Sequence, residues 1–218
     1  GEWIWRPLVT PKRLLVTSFA QESPKGFGLM QRQRRFEAYQ DLSTRYGAHP
    51  SAWIEPIGAW GPGRVELVQI PAPDETNDNI VAYWISDTAP TPKQPIDVHY
   101  RVHWQKDDET HAASAWVTAT LRGKGYSPKP DSSLGFAIDF EGPMLEALPA
   151  NAPLDVDVSA DANGTIVGKS VRRNPDTGGA RVELRFKRND DTKPTELRAA
   201  LRSGTTGSET WSYAFPPG

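Results

Sequence analysis

An all-β protein of two sandwich-like domains is what this sequence predicts, on three observations. Twenty Pro and eighteen Gly interrupt its 218 residues. The apolar runs between them are short and often alternate with period two, as half-buried strands do. No stretch carries the sustained apolar period of a long helix. The elements follow in order. Residues 13–19, Arg-Leu-Leu-Val-Thr-Ser-Phe, predict a strand; with the uncapped opening Gly1-Glu2-Trp3-Ile4-Trp5, it reads as the continuation of a longer chain. Residues 20–52 are polar and rich in glycine and arginine. Phe36, Tyr39, Leu42 and Tyr46, spaced by three and four, allow one short helix there, and the remainder is expected to be loop. Residues 65–70 and 80–85 predict an antiparallel pair separated by Pro71, Pro73 and Asn77-Asp78-Asn79. The alternating run 96–104 should close the first domain.

Lys106-Asp107-Asp108-Glu109 heads the most charged, least apolar stretch. The boundaries drawn from it are a first domain over 1–106, a linker over 107–114 and a second domain over 115–218. In that second part, strands are predicted around 115–117 and 135–140, then over 154–159, 165–172, 180–187, 195–202 and 209–215. Asp161-Ala162-Asn163-Gly164, Asn174-Pro175-Asp176-Thr177-Gly178-Gly179 and Asn189 to Pro194 form joints between them. About seven short strands in some 100 residues suggest an immunoglobulin-like sandwich.

Composition removes several functions. A formal charge of −2 with both signs interspersed lacks the basic stripe that phosphate neutralisation needs, so nucleic acid is not an expected partner. No apolar run approaches the length of a membrane-crossing helix, and no leader pattern opens the chain. Zero cysteines exclude disulfides, thiolate catalysis and Cys-based zinc sites. His99 and His103, four residues apart on one strand, are about 13 Å distant and cannot share an ion, so neither metal nor other cofactor is expected. No Gly-x-Ser-x-Gly elbow occurs, and Gly26-Phe27-Gly28 lacks the third glycine of a dinucleotide site. Eight Trp, six Tyr and seven Phe, several beside Arg, Gln or Asp, suit a sugar site, where aromatic faces stack on pyranose rings and polar groups bond the hydroxyls. The same rings also suit a sandwich core.

Several long, ordered segments carry a family resemblance: Gly26-Phe27-Gly28-Leu29-Met30-Gln31-Arg32, Tyr39-Gln40-Asp41-Leu42, Pro50-Ser51-Ala52-Trp53, residues 75–84, residues 196–201 and residues 208–213. Together they resemble the periplasmic glucan-biosynthesis family of the OpgG/OpgD (MdoG/MdoD) type, over nearly the whole chain. The resemblance implies a periplasmic address and a β-1,2-glucan ligand. It also implies a large galactose-mutarotase-like β-sandwich, of which this chain holds the C-terminal portion, followed by an immunoglobulin-like domain. Implied partners are the upstream part of the same protein and the membrane glucan synthase. Two activities are compatible with it: an inverting β-1,2-glucanase or transglycosylase, or a carrier that guides nascent glucan without covalent chemistry. An immunoglobulin-like adhesion module is disfavoured by the charges spread along residues 115–218.

Inverting hydrolysis requires a carboxylic acid at the leaving oxygen and a carboxylate base activating water on the opposite face. The resemblance points to Asp41 as the acid and places the base upstream of Gly1, so the isolated chain is expected to be inert. Arg32 and Arg34 nearby leave a second possibility for Asp41, a structural ion pair that would lower its pKa. Gln31, Arg32, Arg34, Tyr39 and Trp53 are the candidate substrate-binding residues, with Trp60 a further stacking candidate. Each has a packing or ion-pair alternative. Arg35 departs from the acidic residue frequent at this place in the family. Glu55 reads as a solvated loop residue, and Asp78 as the acceptor of an Asx-turn.

Overall fold

The computed structural model describes every residue except 75, 107–109, 125–130 and 150. The all-β expectation holds: among the described residues, fifteen strands alternate with two four-residue helices and one 3-10 turn. The chain divides into a central unit, residues 13–110, and a terminal unit formed by residues 1–12 with 111–218.

The terminal unit contains β1 (Ile4–Trp5) and a long C-terminal series. That series comprises β8 (Trp116–Gly123), β9 (Leu134–Glu141), β10 (Asp155–Ala160), β11 (Gly164–Arg173), β12 (Ala180–Arg188), β13 (Thr195–Ser203), β14 (Thr206–Gly207) and β15 (Thr210–Phe215). One sheet runs β1-β15-β13-β10, with β14 on β13, and the other runs β11-β12-β9-β8. Every run predicted in this region forms a strand. Val182, Leu184 and Phe186 of β12 point inward while Arg181, Glu183 and Arg185 alternate outward, which is the period-two signal the sequence displays. Inward faces of both sheets share one core, with Phe136, Ile138, Phe140, Leu184, Leu197, Leu201 and Trp211 all at or below 3% exposure. Asx-type turns carry the chain from one sheet to the other, β10 to β11 and β12 to β13: Asn163 N donates to Asp161 Oδ1 at 3.0 Å, and Thr192 N to Asp190 Oδ1 at 2.9 Å.

Residues 1–12, grouped by the sequence with 13–106, pack instead with the terminal unit. β1 pairs in parallel with β15, Ile4 opposite Thr210 and Trp5 opposite Trp211. Arg6, its side chain only 7% exposed, reaches Glu196 Oε1 at 2.5 Å, and Ser212 Oγ donates to the same oxygen. These contacts cover the outward face of β15, whose residues are buried on both sides of the strand. Glu2 adds bonds from Arg198 and Thr210. Burial holds the Arg6 guanidinium below its ordinary value despite the opposing pull of Glu196, a sign of how far it has left water.

The central unit holds β2 (Leu15–Gln21), β3 (Phe27–Leu29), α1 (Phe36–Tyr39), β4 (Ser51–Ile57), β5 (Gly63–Gln69), β6 (Ile80–Ser86) and β7 (His99–Gln105). Two antiparallel three-stranded sheets result, β2-β5-β6 and β3-β4-β7. The predicted pairing of 65–70 with 80–85 appears as β5 and β6, in register Val65 to Trp84. β3 falls where the sequence predicts loop, β4 starts at the end of that stretch and runs through residues 53–57, where the sequence predicts no element, and β7 begins at His99 rather than Ile96. Apolar cover differs sharply between the units. Among the described residues of the central unit, only Leu15, Val65 and Leu67 are buried large hydrophobics, whereas Tyr100, Val102 and Trp104 of β7 lie open on one sheet face, Trp104 at 70% exposure. The predicted linker falls partly on 107–109, outside the described residues. Within its remainder, Thr110 closes the central unit through Gln105 Nε2, which donates to Thr110 Oγ1 at 2.8 Å. His111 opens the terminal unit, stacked on Trp116 with ring centroids 3.8 Å apart.

Candidate functional site

The excursion between β3 and β4 is held by side chains bonding backbone carbonyls, because its short helical pieces satisfy few of their own polar groups. Gln31 N donates to Ser51 Oγ at 2.8 Å, and Gln31 Nε2 to Tyr46 O at 2.8 Å. Arg34 clamps the far side: Nη1 donates to His49 O at 2.5 Å and Nη2 to Ser51 Oγ at 2.9 Å. Tyr39 Oη donates to Gln33 O at 2.9 Å, and its ring lies 5.1 Å from that of Tyr46. Gln31 and Arg34, expected to bind sugar hydroxyls, therefore spend these donors on shaping the loop.

The helix suggested by Phe36, Tyr39, Leu42 and Tyr46 does not run through. α1 stops at Gln40, whose φ of 54° is left-handed, and Arg45, also at 54°, opens the 3-10 turn Tyr46–Ala48. A left-handed conformation costs a non-glycine residue roughly 1–2 kcal/mol, so something local must repay it. Asp41 does so between the two. Its Oδ1 accepts from Ser43 N at 2.7 Å, Thr44 N at 2.8 Å and Ser43 Oγ at 2.9 Å. The Thr44 amide first, then the Ser43 hydroxyl, hold the Asp41 carboxyl below its ordinary value. The cause is thus local hydrogen bonding rather than the arginine pair that the sequence raised. A depressed carboxylate stabilises its turn fully above the unfolded pKa, and that stabilisation is lost as pH falls through the folded value. Hydrogen exchange at the Ser43 and Thr44 amides is accordingly expected to stay slow and constant from pH 5 to 8 after correction for intrinsic rates, and to quicken only in more acidic solution.

Around this turn lies an open cleft of about 400 Å³, walled by Phe36, Tyr39 and Tyr46, with Arg34, Arg45, Lys106 and Asp41 among its polar lining. Among the described residues, Asp41 is the one carboxylate in that lining. The structure thus brings Arg34, Tyr39 and Asp41 together. Gln31, Arg32 and Trp53 do not line the cleft. Trp53 stands on β4 between Gly28 and His103 in register. Its indole presses on Gly26, where an added Cβ would come within 2.3 Å of the ring. Trp60 is occupied in packing, donating Nε1 to His99 O at 3.0 Å with Trp84 and Tyr100 about its ring.

Phe36, Arg45, Tyr46 and Lys106 join the lining without having been singled out as binding residues; the first and third had read as helix-face residues. The expected Asx-turn acceptor Asp78 is replaced by Asp74, which takes Thr76 N at 3.0 Å. Glu55, read as a solvated loop residue, is on β4, where its Oε2 meets His103 Nε2 at 2.7 Å and Arg101 Nη1 at 3.2 Å. Among the described residues, no group of three or more His, Asp or Glu side chains gathers to hold a metal ion.

Comparison with known proteins gives a consistent result. The family model described as "Periplasmic glucan biosynthesis protein, MdoG" matches residues 1–215. "Glucans biosynthesis protein G" of Ralstonia nicotianae is 56% identical, covering 100% of this chain and 45% of that protein. The proteins of the same name from Serratia proteamaculans and Pseudomonas aeruginosa are 51% and 50% identical, each covering 99% of this chain and 43% of the relative. The chain therefore spans less than half the length of these curated relatives.

Proposed function

The chain belongs to the MdoG family of periplasmic glucan biosynthesis proteins, and from that premise we propose that the full-length protein acts on β-1,2-glucan in the periplasm as an inverting glucanase or transglycosylase. The observation that carries this reading is a cleft walled by Phe36, Tyr39 and Tyr46 in which Asp41 is the one carboxylate among the described residues. Aromatic walls suit pyranose faces, and one carboxylate is half of an inverting pair. The other half, the base, is assigned to the part of the protein outside this chain.

Asp41 as it stands is a poor proton donor, because the Ser43 and Thr44 bonds favour its ionised form. A second carboxylate brought near would push one of the two pKa values upward. The base is such a group, and the sugar's leaving oxygen would compete for the same carboxyl. The exposed face of Tyr100, Val102 and Trp104 fits this division. A sheet with an open apolar face needs a covering layer, and the remainder of the protein is the proposed cover.

A second reading rests on the same Ser43 and Thr44 hydrogen bonds: a carboxylate whose ionised form they favour binds hydroxyls without donating a proton. The protein is then a carrier that guides nascent glucan and docks onto the membrane synthase. Retention of the full-length protein on immobilised β-1,2-glucan, with β-1,3- and β-1,4-glucans alongside, tests what both readings share. Retention confined to the β-1,2 polymer is expected. Equal or absent retention on all three would remove the glucan assignment.

A further inference from the structure

β4 carries Ser51, Trp53 and Glu55 on one face, since side chains alternate along a strand. Ser51 anchors the Asp41 loop through Gln31 and Arg34. That face therefore starts beneath the cleft and runs away from it, reaching Glu55 about 13 Å further on at ~3.3 Å per residue. Register with β7 sets His103 opposite Trp53 and Arg101 opposite Glu55. One oxygen of Glu55, Oε2, takes both His103 Nε2 and Arg101 Nη1. The other, Oε1, has no hydrogen-bond partner among the described residues. The side chains of Glu55, Arg101 and His103 are 43%, 61% and 36% exposed, so a ligand can reach them. Two donors on one oxygen fix the carboxylate's orientation and aim its free oxygen, while Arg101 keeps further N–H groups for a neighbouring acceptor.

An oriented acceptor beside planar donors matches two adjacent hydroxyls of a pyranose, one donating and one accepting. Trp53, held in place by Gly26, gives the same face an aromatic flank. We infer that Glu55, Arg101 and His103 form a second saccharide-binding station, distinct from the Asp41 cleft and reached by a glucan chain lying along the polar face of β4. The inference rests on the glucan reading above and adds the residues that hold the chain away from the reacting bond. An ordinary cross-strand ion pair would join β4 to β7 equally well, and the experiment must separate the two roles.

The full-length protein is titrated calorimetrically with β-1,2-linked gluco-oligosaccharides of increasing length, comparing wild type with Glu55→Ala and Glu55→Gln. Long oligosaccharides should lose about tenfold or more in affinity in Glu55→Ala, as expected for a lost hydrogen bond to a charged group. The disaccharide, too short to fill both stations, should bind unchanged. Glu55→Gln, which keeps an acceptor oxygen, should recover part of the loss. Unchanged affinity at every length overturns the inference. So does an equal loss at every length accompanied by a lower melting temperature, which would mark a staple between strands. If wild type binds none of these sugars, the glucan reading falls and this inference falls with it.

Discussion

Trp211→Ala is expected to destabilise the terminal unit by about 3–5 kcal/mol, the range for removing a fully buried large aromatic. Trp211 is 0% exposed and lies 5.1 Å from Phe136 and 5.6 Å from Tyr213, ring centroid to centroid. Its Nε1 donates to Thr120 Oγ1 at 3.1 Å. That bond joins β15 of one sheet to β8 of the other, so the substitution removes packing and an inter-sheet tie together. A domain of this size holds roughly 5–15 kcal/mol in all. Leu121→Ala, in the same unit but 55% exposed, should change stability by only about 0.5 kcal/mol. Urea unfolding followed by near-ultraviolet circular dichroism compares the two. A Trp211→Ala loss no larger than that of Leu121→Ala would contradict the core assignment.

Asp41→Asn is expected to lower the rate of glucan cleavage or transfer by about 10²–10⁴-fold, the usual worth of a positioned general acid. The substitution keeps an acceptor oxygen for the Ser43 and Thr44 amides, so the turn between Gln40 and Arg45 should persist and glucan affinity should change little. Asp41→Ala removes both the acid and the turn's acceptor, and should lose affinity as well as rate. Initial rates and binding measured on the same preparations separate the two effects. A fall of less than tenfold in Asp41→Asn would remove Asp41 from the proton-transfer role.

Most of the terminal unit was legible because its longer strands each have a single clear instruction. In β12 and β13 apolar and charged residues alternate cleanly, and their joints contain the Asp and Asn side chains that bond the turns. β4 was hidden because its first residues close the polar stretch 20–52 and because it carries a proline, Pro56, which sits near its end opposite Tyr100. The interrupted helix was illegible for a different reason. The spacing of Phe36, Tyr39, Leu42 and Tyr46 is helical, but it crosses two left-handed residues stabilised by Asp41 and leaves Leu42 83% exposed.

At the candidate site, the family resemblance named Asp41 and Tyr39, while their partners depended on folding at a distance. Arg34 beside a carboxylate in sequence suggests an ion pair. Its guanidinium instead reaches carbonyls and a hydroxyl at residues 47–51, groups that only the return of the chain into β4 brings near. The Glu55 cluster was missed on the same ground. Arg101 and His103 lie 46 and 48 residues away, and only β-pairing juxtaposes them. The burial of Arg6 likewise required β1 to join β15, a contact spanning nearly the whole chain.

The most direct measurement is incubation of the full-length wild-type protein with linear β-1,2-glucan, counting new reducing ends and sizing the polymer by chromatography of the same sample. The account predicts altered glucan: new reducing ends if the protein hydrolyses, or redistributed chain lengths without new ends if it transfers. Unchanged ends together with an unchanged size distribution would contradict catalysis, and would make the protein a carrier in which Asp41 binds rather than protonates.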